Sequence, residues 1–152
     1  MTLQGGTIAT LTVVKPFTPE TEKVWDAIKY LSQIGDTVSC VKRSILHGRG
    51  RGAMLTLYTK YGHFRFKFTF IDDLERSSVF KLVECSLEGI KDFLGHIRLR
   101  VESSGQSILE IGCSFIDELN RSSIISIIKS VFNEHIINIR KFLTKGDRYE
   151  TA

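Results

Sequence analysis

Glu84 and His135 are the side chains of this sequence suited to move a proton or hold a polar ligand group in an apolar setting. At the helical period His135 falls between Ile128, Val131, Ile139 and Phe142, on the apolar side of its segment. An imidazole there must find a hydrogen-bond partner or a ligand polar group, because an unsatisfied buried polar group costs ~1–3 kcal/mol. Glu84 alternates with Phe80 and Leu82, which puts it on an inward strand face. Facing each other, Glu84 and His135 would make an anchor for a ligand hydroxyl or a general base. A one-residue slip in the alternation moves Glu84 to the surface. Tyr58 shares a face with Met54 and Thr56, opposite Leu55 and Leu57, so its hydroxyl enters a pocket only if that register is wrong. Glu84, His135 and Tyr58 are therefore the catalytic candidates.

A second chemistry is suggested by Gly48-Arg49-Gly50-Arg51-Gly52. Glycines free backbone N–H groups to form an anion nest, and Arg49 and Arg51 would add charge for a phosphate or carboxylate. The run lacks the Lys-Ser/Thr ending of a nucleotide P-loop, and a hairpin turn with solvated arginines explains it equally well. His47, His63, His96 and His135 are not at metal-ligand spacings, and Cys40, Cys85 and Cys113 do not pair with them. No nucleophile-elbow pattern is present. We expect no metal and no cofactor.

These residues must be positioned by strands and one long helix. His63 to Phe70 alternates so that Phe64, Phe66, Phe68 and Phe70 share one face. Four phenylalanines side by side need a large apolar cover, which is either a helix laid across them or an apolar hollow. Leu55, Leu57, Leu109, Ile111 and Phe115 of neighbouring strands would complete the concave face, with Ile128 and Val131 opposite. Packed core and cavity wall both need such residues, and the sequence leaves the two open.

Strands are predicted at Thr7 to Val14, Thr37 to Leu46, Arg51 to Thr59, His63 to Asp72, Ser78 to Leu87, His96 to Ser103 and Ser107 to Asp117. Gly48 to Gly52, Tyr61-Gly62, Asp72-Asp73, Gly89 to Gly95 and Ser104-Gly105 separate them. A short helix follows the first strand: Thr18 as N-cap, Pro19 at the first position, Glu20 and Glu22 at the positive end, and Val24, Trp25, Ile28 and Leu31 on one side. A loop is expected at Gly35-Asp36. From Arg121 to Lys145 the period changes, and Ile124, Ile125, Phe132, Ile136 and Leu143 join the residues around His135 on one broad apolar face. Gly146 would end that helix, and Ile137 points outward.

The chain has 152 residues, 42% hydrophobic, with a mean hydropathy near zero. That fits one domain over residues 1–152, its last few residues disordered. Three unpaired cysteines point to reduced core or wall residues and a cytoplasmic protein, and no stretch is long and apolar enough for membrane insertion. The net charge of +4 is scattered through the strands, and no nucleic-acid module is recognisable, so no nucleic-acid partner is expected. Abundant isoleucine and scarce glutamine hint at a thermophilic source.

The order of elements, the Thr18-Pro19-Glu20 to Trp25 helix start, the turn Gly48 to Gly52 and the long terminal helix together resemble the helix-grip superfamily called SRPBCC. It includes START lipid-binding domains, birch-pollen-type allergens and polyketide cyclases. Lys60-Tyr61-Gly62-His63-Phe64-Arg65-Phe66 is similar to the carbon monoxide dehydrogenase group within it. The resemblance implies an α+β fold in which a seven-stranded curved antiparallel sheet wraps a long C-terminal helix, with a short helical segment after the first strand. It further implies a cavity for a small hydrophobic or amphipathic ligand between sheet and helix, rimmed by Gly48 to Gly52, Lys60 to Gly62 and Glu88 to Phe93. Binding or carriage of that ligand, as monomer or homodimer, is the expected function. The alternative is a cyclase or dehydratase acting on a polyketide-like substrate in the same cavity.

Overall fold

The computed structural model describes residues 6–17 and 21–151, and the side chains among them other than those of residue 7 and residues 144–151. Thr18, Pro19 and Glu20, expected to start the first helix, lie outside the described residues. Strand β1 (Thr7–Phe17) leads to two short helices, α1 (Thr21–Ile28) and α2 (Ile34–Thr37). Six strands follow: β2 (Val41–His47), β3 (Met54–Thr59), β4 (Gly62–Asp72), β5 (Ser77–Cys85), β6 (Ile90–Val101) and β7 (Ser107–Asp117). Helix α3 (Ser122–Thr151) ends the chain and continues through Gly146, which is therefore not its stop.

The strands form one antiparallel sheet in the order β1-β7-β6-β5-β4-β3-β2, so β1 and β2 are its edges. β1 runs on through Lys15 and Pro16 because an edge strand needs only one ladder, here with β7. α3 lies across the concave side and buries Phe132, His135, Ile136 and Ile139 there. This is the α+β helix-grip fold. Phe142 departs from the expected apolar face and is 66% exposed, at the margin of a stripe centred on Phe132, Ile136 and Ile139.

α1 buries Val24, Trp25 and Ile28 as its amphipathic spacing requires. Leu31 then takes a left-handed backbone (φ 55) that turns the chain into α2, where the sequence suggested a loop. The Trp25 indole Nε1 donates to Asp73 Oδ1 at 2.7 Å, tying α1 to the β4–β5 turn. That bond is the main reason the Asp73 carboxyl sits below its ordinary range, with Lys29 adding to it.

Two register slips along β4 and β5 decide which side chains face inward. Arg65 pairs with Glu84 and Phe66 with Leu82, so Val83 is an extra residue in β5. Phe68 pairs with Phe80 and Phe70 with Val79, so Thr69 is extra in β4. Beyond each bulge the alternation is reversed. β6 begins at Ile90, six residues before the expected His96. Its Gly95 packs beneath the Phe80 ring instead of sitting in a loop.

Candidate functional site

Between the concave sheet and the N-terminal half of α3 lies a cavity of about 200 Å³. Leu55 and Leu57 of β3 and Phe64 and Phe66 of β4 form one wall, because they occupy the inward positions of a paired register. Ile128 and Val131 of α3 form the opposite wall, with Ile124, Ile127 and Phe132 beside them. The wall also includes Ile34 of α2, Cys40 and Val41 before and within β2, and Phe80 and Leu82 of β5. Leu87, Ile90 and Phe93 close it from the start of β6.

An aromatic cluster makes the base rigid. Phe66 meets Phe80 edge-on at 5.6 Å and Phe93 at 5.6 Å, while Phe93 stacks on Phe115 at 5.7 Å. Phe68 is fully buried, with Tyr30 edge-on against it at 5.3 Å, and belongs to the packed core rather than the cavity wall. Leu109, Ile111 and Phe115 are likewise buried on the inward face but outside this cavity. The concave face is thus core over part of its length and cavity wall over the rest.

Phe70 is 43% exposed, contrary to expectation, because the bulge at Thr69 turns it outward and sends Ile71 inward. The bulge at Val83 does the same to Glu84. Its carboxylate lies on the outer surface, 3.2 Å from His63 Nε2 and 3.8 Å from Arg65 Nη1. Glu84 and His135 therefore do not meet. Tyr58 is also outward and 43% exposed, as the Leu55 and Leu57 register requires.

His135 is fully buried, as its helical position demands, but it is not part of the cavity wall. Its Nδ1 lies 2.6 Å from Thr37 Oγ1, which in turn donates to the Gln33 carbonyl at 3.3 Å. With that hydroxyl proton committed to Gln33, Nδ1 carries the imidazole proton and donates to Thr37, leaving the Nε2 lone pair facing inward. Nε2 has no hydrogen-bond partner. Burial lowers the His135 pKa to about 4, so the ring is neutral at physiological pH. Asn138 Nδ2 also donates to the Thr37 carbonyl at 2.7 Å, and Ser39 N donates to Glu134 Oε1 at 3.0 Å. One turn of α3 thereby holds the α2–β2 corner.

Arg49 and Arg51 lie on an exposed loop away from the cavity, so Gly48 to Gly52 do not rim it. The proposed nest is already in use. Gly50 N donates to the Tyr30 hydroxyl, Gly52 N to the Phe68 carbonyl at 2.7 Å, and Arg51 Nε to the Thr69 carbonyl at 3.2 Å. The glycines serve backbone angles (φ 83, 69 and 93) in a loop fastened to the fold. The β3–β4 turn does reach the cavity, through Thr59 and Tyr61.

Of the lining residues, only Cys40, Thr59 and Tyr61 bring side-chain heteroatoms to this wall. Thr59 Oγ1 is engaged, donating to the Gly62 carbonyl at 2.9 Å and accepting from Tyr61 N at 3.0 Å. Burial raises the Cys40 thiol above its ordinary value, and Glu134 adds to the effect. Burial alone pushes Cys113 up to about 12. Among the described residues no three His, Cys, Asp or Glu side chains are grouped to hold a metal ion. None of their helices is long and apolar enough to cross a membrane.

The sequence pattern missed the contributions of α2 and early β6. Ile90 and Phe93 were hidden because Gly89 and Gly95 resemble loop glycines; the alternation of Phe93, Gly95, Ile97 and Leu99, all buried, is the signal that finds them.

No protein-family model matches this sequence. No curated protein matches it. Solved structures do. The chain is similar to Ara h 8.0201, with a TM-score of 0.76 and 11% identity over 91% of this chain and 99% of that one. It is similar to the Zhui aromatase/cyclase from Streptomyces sp. R1128, with a TM-score of 0.70 and 9% identity over 96% and 97%. Major latex-like protein 151 from Panax ginseng gives 0.68 and 12% over 89% and 99%. At these identities the likeness is one of fold.

Proposed function

We propose that this chain, whose fold is that of the SRPBCC helix-grip superfamily, binds or carries a small apolar molecule in the cavity between its sheet and α3. The supporting observation is the wall itself: about 200 Å³ bounded almost wholly by aliphatic and phenyl side chains, with no carboxylate, imidazole or ammonium among them. Such a cavity favours apolar area and offers little to a charged group. A cavity of roughly 150 Å³ accepts benzene, so this one suits a compact ligand of about ten non-hydrogen atoms.

A cyclase or dehydratase needs ionisable groups converging on the substrate. Glu84 and Tyr58 face outward and His135 is off the wall, so the geometry favours binding over that chemistry.

Naphthalene is the test ligand, because it has the right size and no polar atom. Titration followed by methyl NMR should shift Leu55, Leu57, Ile128 and Val131, with a dissociation constant on the order of 10–100 μM. Shifts absent from these residues at saturating naphthalene would overturn the proposal. Native mass spectrometry of the purified protein, with extraction of any retained compound, then identifies the natural ligand class.

A further inference from the structure

The outer face of the sheet carries an arrangement that the cavity does not explain. Lys67 of β4 and Lys81 of β5 are direct cross-strand partners, and both are exposed. Like charges placed opposite each other destabilise a strand pair. The same register puts Arg65 outward on β4, Arg43 on β2, and Arg98 and Arg100 on β6. Away from the strand ends, the acidic side chains described on this face are Glu84 and Glu110. Each has a local partner: Glu84 has His63 and Arg65, and Glu110 has His96 Nε2 at 2.9 Å. The face is therefore strongly basic in its middle. Apolar groups lie among the cations. Leu94, the cross-strand partner of Lys81, is 50% exposed, and Phe70 is 43% exposed because of the Thr69 bulge.

We infer that this outer sheet face, centred on Lys67, Lys81 and Leu94, docks the protein on an anionic phospholipid surface. Lipid phosphates supply the counter-charge that the Lys67–Lys81 pair lacks, and the attraction weakens with salt. The neighbouring Leu94 separates lipid from nucleic acid as the occupant: an aliphatic side chain gains from contact with acyl chains but offers no ring for a base to stack on. Docking of this kind is peripheral, with the strands remaining in their sheet. It would place a carrier of apolar molecules where such molecules partition, yet it does not depend on the cavity being filled.

The test is co-sedimentation of the intact protein, without added naphthalene, with two sets of vesicles. One set is phosphatidylcholine alone; the other contains roughly one third phosphatidylglycerol. The expected result is binding to the anionic vesicles at low salt, loss of binding in high salt, and little binding to the neutral set. Lys67→Glu should weaken binding about tenfold. It should also leave the melting temperature unchanged or raise it, since a carboxylate opposite Lys81 replaces a repulsion with an attraction. Leu94→Ser should weaken binding while preserving its salt dependence. Failure to bind anionic vesicles, undiminished binding by Lys67→Glu, or preferential binding of a poly(U) RNA competitor would each overturn the inference. None of these results bears on naphthalene binding, so the two proposals fail separately.

Discussion

The Gly95 backbone lies directly beneath the Phe80 ring: a β-carbon built on Gly95 would come 2.3 Å from two of the ring carbons. Phe80 also lines the cavity and touches Phe66, Phe68 and Phe93, so this glycine sets the depth at which the whole aromatic cluster sits.

Gly95→Ala should accordingly destabilise the protein by about 1–3 kcal/mol, as overpacking does. Phe80→Leu in the same chain should recover part of that loss, because the clash is with the ring and not the backbone. Urea denaturation of the two single variants and the double variant measures the coupling. Simple additivity would show that the ring is not what limits the site.

The cavity predicts a different pattern for Ile128 on α3. Ile128→Trp places an indole in existing space, so naphthalene affinity should fall at least about tenfold. The melting temperature should stay within a few degrees, about the shift expected for a change below 1 kcal/mol. Isothermal titration with a thermal melt distinguishes this from a filled core, where the larger side chain lowers the melting temperature sharply.

His135 gives the fold a pH dependence whose sign follows from its surroundings. Burial holds its pKa near 4, against about 6.5 in an unfolded chain. Below pH 6.5 the unfolded state therefore takes up a proton that the native state refuses. The stability present above pH 6.5 declines as pH falls toward 4 and stops declining once the native ring is also charged. The full span is worth about 3 kcal/mol. His135→Gln should flatten this part of the profile, read from urea midpoints at pH 7 and pH 5. An equally steep profile in the variant would place the effect on other groups.

Much of the architecture was legible because burial alternates plainly. β7 runs from Ser107 to Asp117 as its pattern indicates, and the apolar stripe of α3 faces the sheet around His135. The two bulges were not legible. An extra residue at Val83 or Thr69 leaves the composition of each strand unchanged, and its position is fixed by how β4 and β5 fit together in three dimensions. That single kind of event moved Glu84 and Phe70 from the predicted site to the opposite face. The His135 side chain was buried as expected, yet its partner, Thr37, lies ninety-eight residues away in a one-turn helix too short for periodicity to reveal.

Pro16 near the end of β1 has a consequence for encounters between copies of this chain. The free side of an edge strand normally offers amide donors to any extended segment, the first step in strand-by-strand aggregation. A proline has no amide hydrogen to give, and Lys15 beside it brings a charge to the same stretch. A second strand laid along β1 thus cannot form an uninterrupted ladder through this end, and growth of one sheet into the next is discouraged there.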